Sequence, residues 1–123
     1  MSKKENNMHE YKKLKVWNDA INLVTDIYLT TKTFPDTEKF GLISQINRCA
    51  ISIPSNIAEG AGRNSNGEFK HFLGIANGSC YELETQLLIA KNLGYINTEI
   101  LDRLLERTEV IEKMIYNLIK SKR

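Results

Sequence analysis

The stretch Ile57-Ala58-Glu59-Gly60-Ala61-Gly62-Arg63-Asn64-Ser65-Asn66-Gly67-Glu68 decides how this chain folds. Upstream of it, Ile43, Ile46, Ala50, Ile53 and Ile57 recur at alternating spacings of three and four, the pattern of one helix face turned to a core. Downstream, Leu73, Ala76, Cys80, Leu83, Leu87 and Ala90 do the same. Gly60-Ala61-Gly62 predicts a stop between the two runs, because glycine enters the left-handed region at a helix C-terminus at little cost. Ser65 through Glu68 then reads as a capping box, with the serine accepting from the third amide and the glutamate reaching back. Two helices joined by so short a turn run antiparallel.

Working outward, the first helix is expected over about Leu14 to Thr31. Leu14, Trp17, Ile21, Val24 and Tyr28 form a bundle-type seam, and Val16, Ala20, Leu23 and Ile27 form a second stripe beside it. Together they are wider than the ~100° that an ordinary surface helix buries, so part of this helix is expected to be covered twice. Phe34-Pro35-Asp36 breaks the pattern, and Asp36 or Thr37 is available to cap the second helix. Pro54 lies inside that helix and predicts a kink, since proline lacks the amide and crowds the Ala50 carbonyl. Gly94 ends the third helix, Asn97 can cap the fourth, and Leu101, Leu104, Thr108, Ile111, Ile115 and Leu118 form its seam.

The expected architecture is an all-α, up-down-up-down antiparallel four-helix bundle with a kinked second helix. Its domain spans residues 14–120, between a flexible basic N-terminal segment (1–13) and a basic tail (121–123). In the third helix Ile75, Tyr81, Leu88 and Ile89 point away from the seam, and Gly74 and Gly78 stand one turn apart. These two glycines fit either tight packing within the monomer or a subunit contact.

Hydrophobic residues make up 41% and charged residues 26% of the 123 residues, which is a globular composition. Unbroken apolar runs fall far short of the ~18 residues that a membrane span needs. Met1-Ser2-Lys3-Lys4-Glu5-Asn6-Asn7 has basic residues with no apolar stretch behind them, unlike a signal peptide, so a cytoplasmic protein without membrane contact is expected. Cys49 and Cys80 belong to no metal-binding spacing and sit on apolar stripes, the placement of buried free thiols.

Net charge is only +2. The topology, however, gathers Lys3, Lys4, Lys12, Lys13, Lys15, Arg63, Lys70, Lys120, Lys122 and Arg123 at one end, opposed by Glu5, Glu10, Glu59 and Glu68. That end then carries +6 and the remainder −4. Such an end can meet nucleic-acid phosphate, although basic termini are also often plain solvated surface.

Candidate catalytic groups are sparse. Glu68 and His71 have the Glu-x-x-His spacing of di-iron bundles, but the second motif and the further glutamates are missing. Glu82 and Glu84 diverge on a helix and do not form a paired acid site; Arg48, Ser52 or Asn56 on the second helix could satisfy either one. No Ser/His/Asp set, phosphate-cradling glycine loop or zinc spacing occurs, and neither a metal nor a cofactor is implied. Arg63 and His71 resemble the Arg…His pair of HEPN-type ribonucleases, at a wider separation.

Ser52-Ile53-Pro54-Ser55-Asn56-Ile57-Ala58-Glu59-Gly60-Ala61-Gly62-Arg63 resembles the signature segment of the four-helix-bundle family of 23S rRNA intervening-sequence proteins. The resemblance extends to Leu14-Lys15-Val16-Trp17, to Phe34-Pro35 with Gly41-Leu42, and to Gly78-Ser79-Cys80-Tyr81-Glu82-Leu83-Glu84. It implies ring-like homopentamers. It also implies similarity to the accessory protein of diversity-generating retroelements, a basic pentameric barrel that binds nucleic acid and a reverse transcriptase. The family brings no catalytic residues with it.

The leading expectation is a non-enzymatic homopentamer that binds RNA, DNA or a protein–nucleic-acid assembly through Lys12, Lys13, Lys15, Arg63, Lys70, Lys120, Lys122 and Arg123. The alternatives are a scaffold that docks a protein partner without touching nucleic acid, and a ribonuclease using Arg63 and His71.

Overall fold

The computed structural model describes residues 10–122. Four helices, α1 (Lys15–Thr31), α2 (Leu42–Ala61), α3 (Asn66–Asn92) and α4 (Thr98–Ser121), follow in order, with short 3-10 turns at Glu10–Lys13 and Asp36–Glu38. Each helix packs on its neighbours in sequence and α1 closes on α4, so α1 and α3 lie on one diagonal of the bundle. The α2–α3 contact is the most extensive. The fold is the expected all-α four-helix bundle, with a core that includes Leu23, Ile27, Ile53, Ile57, Leu83, Leu87, Leu104 and Ile111.

The seams predicted for α3 and α4 enter that core, with Leu118 half-buried at the last turn. In α1 the order of the two stripes is reversed. Val16, Ala20, Leu23 and Ile27 are buried, whereas Ile21 and Tyr28 are each 38% exposed and Trp17 and Val24 half-buried. Both stripes have the same helical period, and the positions of α2 and α4 select which one faces inward.

The helix ends hold further differences. Neither Asp36 nor Thr37 caps α2; both fall in the Asp36–Glu38 turn. Glu38 instead folds back over Gly41, its Oε1 accepting from the Leu42 amide at 3.2 Å and its Oε2 from the Tyr95 hydroxyl at 2.8 Å. Tyr95 also rests against buried Phe34, ring centroids 5.2 Å apart, which ties the first connection to the third. Ser65 and Asn97 cap as expected, accepting from the Glu68 amide at 3.1 Å and the Ile100 amide at 2.8 Å. Helix α2 runs through buried Pro54 as one element. Beside it the Asn56 side chain donates to the Ser52 carbonyl at 2.8 Å.

Helix α2 stops at Gly62 as expected, but without a left-handed cap. Gly60 lies inside α2, and Gly62 caps it with φ of −82°, in the ordinary right-handed region. Among the described residues positive φ belongs to Gly94 alone, at 82°. What Gly60 provides is proximity. A Cβ there would stand 2.8 Å from Phe72 Cβ, 2.9 Å from Phe69 Cδ1 and 3.2 Å from the Phe69 carbonyl oxygen. The absent side chain lets the end of α2 lie directly on the start of α3. Gly74 and Gly78, by contrast, meet nothing within 4 Å, so close packing inside the monomer is not their role.

Gly60→Ala is expected to destabilise the bundle by about 1–3 kcal/mol, because Phe72 Cβ and the Phe69 backbone cannot swing aside. Gly62→Ala, whose Cβ would make ordinary 3.7 Å contacts, is expected to be neutral or slightly stabilising. Urea titrations of the two variants check both signs.

Candidate nucleic-acid interface

The close approach at Gly60 brings Phe69 and Phe72 to the turn between α2 and α3, and cations settle on both rings. The Arg63 guanidinium lies 4.8 Å from the Phe72 centroid, and Lys122, arriving from the end of α4, places Nζ 5.0 Å from the Phe69 centroid. The Glu10–Lys13 turn packs on α1 and α2 and contributes Tyr11, with Lys12 Nζ 5.9 Å from its ring. Tyr11 is held edge-on against Trp17, ring centroids 5.2 Å apart. Between these elements opens a cleft of about 230 Å³ whose lining includes Tyr11, Arg63, Asn64, Phe69, Leu118 and Lys122.

Not every predicted basic residue joins this cleft. Arg63 and Lys122 line it, Lys12 flanks it through Tyr11, and Lys13 is exposed on the same turn. Half-buried Lys70 follows Phe69 in the first turns of α3. Lys15 is engaged by Asp19 at 2.8 Å and borders a separate groove with Met114 and Ser121. Lys120 turns outward over the Tyr116 ring, 5.5 Å from its centroid. Lys3, Lys4 and Arg123 lie outside the described residues. Arg63 is also paired with Glu59 at 2.6 Å and Glu68 at 3.8 Å, so part of its charge is already met by carboxylate. His71 is exposed, edge-on to Phe72 at 5.3 Å.

Phe69, Phe72 and Tyr11 were not legible as ring platforms. The alternation of aromatic and basic residues in Phe69-Lys70-His71-Phe72 and Tyr11-Lys12-Lys13 was the available signal.

The model of the family described as 23S rRNA-intervening sequence protein matches residues 12–117, reaching into all four helices. The chain belongs to this family. Among solved structures, the chain is similar to a protein of unknown function from the S23 ribosomal protein family of Bacteroides thetaiotaomicron. The two share 25% identity with a TM-score of 0.78, over 85% of this chain and 95% of that one. No curated protein sequence matches.

Elsewhere in this 23S rRNA-intervening sequence family member, polar side chains are spent on holding helices together. Ser52 and Ser79 hydroxyls meet at 2.8 Å between α2 and α3, and Asn56 donates to Ser52 Oγ at 2.9 Å. Of the three residues expected to satisfy either Glu82 or Glu84, Ser52 and Asn56 are engaged in this way, and Arg48 and Ser52 border one groove with Glu82. Glu82 and Glu84 do diverge, Glu82 toward Cys49 on α2 and Glu84 toward Glu112 on α4. Both cysteines are free and buried. Cys49 donates to the Ser79 carbonyl at 3.0 Å, and burial, followed by the nearby Glu82 carboxylate, pushes its thiol up to about 12. Burial likewise raises Cys80, with Glu112 and Glu84 adding to it. Protonated thiols of this kind are poor nucleophiles. Among the described residues no helix is long and apolar enough to cross a membrane, and no three His, Cys, Asp or Glu side chains gather as metal ligands.

Glu112 is the carboxyl that sequence reading missed. Its Oε2 is buried without a hydrogen-bond partner. Burial pushes its pKa from 4.5 up to about 8, helped by the neighbouring carboxyl of Glu84 and by the charge of Glu109. The folded chain therefore keeps a proton that the unfolded chain releases, and stability falls as pH rises from the unfolded value through the folded one. Glu112→Gln is expected to flatten that decline. Thermal melts of both proteins between about pH 5 and pH 9 should separate most at the alkaline end, with the variant the more stable.

Proposed function

We propose that this protein is a non-enzymatic, self-associating bundle that binds nucleic acid through the end where the Glu10–Lys13 turn, the α2–α3 turn and the end of α4 meet. The carrying observation is that Lys12, Arg63 and Lys122 lie against Tyr11, Phe72 and Phe69 around one end of the molecule. Cations held over rings next to a cleft offer phosphate a partner and leave aromatic surface beside it. Family membership supports the reading through the RNA context in the family's description.

Self-association rests on two apolar stripes that the monomer leaves open. On α1, Ile21 and Tyr28 stand out beside half-buried Trp17 and Val24; on α3, Tyr81 and Leu88 continue the line of Gly74 and Gly78. Because α1 and α3 are diagonal in the bundle, these stripes face opposite ways. One copy's α1 can then meet the next copy's α3 in a heterologous contact, the kind that closes into rings, such as the pentamer the family resemblance implies. The same exposed faces favour the second reading, a scaffold that docks a protein partner without nucleic acid.

Fluorescence anisotropy with labelled RNA across a salt series tests the first reading. Affinity should fall linearly on a log–log plot, and replacing Lys12, Arg63 and Lys122 with glutamine should reduce the slope by roughly 2–3. Absence of binding at low salt would move the assignment to the scaffold. Light scattering should give a multiple of the 14.1 kDa chain mass that Leu88→Lys with Ile21→Lys reduces to one, helicity unchanged. A monomeric parent protein would reject self-association.

A further inference from the structure

The cleft at the basic end carries more than charge. Its lining combines the rings of Phe69 and Tyr11 and the side chains of Leu14 and Leu118 with the polar groups of Arg63, Lys122 and Asn64. At about 230 Å³ it is smaller than the ~300–1,000 Å³ of typical small-molecule sites, a size suited to one planar ring system.

We propose that this cleft takes a single unpaired nucleotide, its base against the Phe69 and Tyr11 rings and its phosphate on Lys122 and Arg63, so that the protein prefers single-stranded over duplex nucleic acid. The inference rests on the nucleic-acid reading of this end and adds the form of the ligand. Phosphate binding alone would need only a convex cationic surface, whereas here Arg63 and Lys122 line a concavity together with the rings of Phe69 and Tyr11. A ring contributes to affinity only if a base face is free to lie on it, and in a duplex those faces are stacked.

Lys122 rests on Phe69 in the free protein, both half-buried, and a cation–π contact is weak enough beside a charge-assisted phosphate contact to be exchanged for it. Glu10, also in the lining, argues against a simple anion site, since a carboxylate repels a bare anion but can accept from the amino edge of a base. Asn64, an exposed residue of the lining, adds an amide that can both donate and accept.

The experiment uses the full chain and one labelled RNA sequence, presented as an unstructured single strand and as a blunt duplex, in anisotropy titrations at fixed salt. The single strand is expected to bind roughly tenfold or more tightly, consistent with the stacking of one base. Phe69→Leu and, separately, Tyr11→Leu should each remove most of that preference, with a far larger loss of affinity for the single strand than for the duplex. The Tyr11 variant avoids the Gly60 contact, so it remains informative if Phe69→Leu is poorly folded. Trp17, the sole tryptophan, touches Tyr11 and should report the event by a fluorescence change with a single-stranded trinucleotide. Salt-dependent binding with equal affinity for both forms, or a Tyr11→Leu variant that keeps the full preference, overturns the cleft while leaving the basic end intact. No binding of either form overturns both.

Discussion

A missing side chain sets the arrangement of this molecule. Gly60 brings the last turn of α2 within contact distance of Phe69 and Phe72, where any Cβ would collide with carbon and backbone atoms that have no freedom to retreat. That contact makes α2 and α3 the most closely associated pair, and Ser52, Asn56 and Ser79 add hydrogen bonds along the same seam. It also determines where the two phenylalanine rings stand, and hence where Arg63 and Lys122 rest. A packing constraint in the core and the composition of the candidate interface are thus one feature seen from two sides.

The two ends of the bundle are built by different means. At the far end one carboxylate, Glu38, accepts from the α2 amide and from Tyr95, joining two connections through directed hydrogen bonds. At the basic end the joints are rings and cations, softer contacts that can separate without leaving a buried polar group unpaired. The interior chemistry separates as clearly. Cys49, Cys80 and Glu112 sit where burial favours their neutral forms, so none offers a ready nucleophile or charge at neutral pH.

Much of the bundle was legible in the chain. The seams of α2, α3 and α4, the Ser65 and Asn97 caps and the end of α3 at Gly94 depend on local spacing and local hydrogen bonds, which a linear sequence carries. The signature from Ser52 to Arg63 was specific enough to indicate the family that the match over residues 12–117 shows. The candidate interface was half legible. The basic residues could be counted and assigned to an end by topology, but Lys15 and Lys120 face away from the cleft through rotation about their helix axes.

By itself, then, the sequence determined helix number and order and the phase of α2, α3 and α4, because periodicity and capping act over one or two turns. It left open every choice that depends on what lies opposite: which α1 stripe faces inward, whether a glycine serves a turn or a close contact, which carboxylate Glu84 meets, and which cation sits on which ring. Those choices belong to the tertiary structure, because they depend on the distance and rotation between helices. In this chain one such close approach is made where Gly60 has no side chain to prevent it.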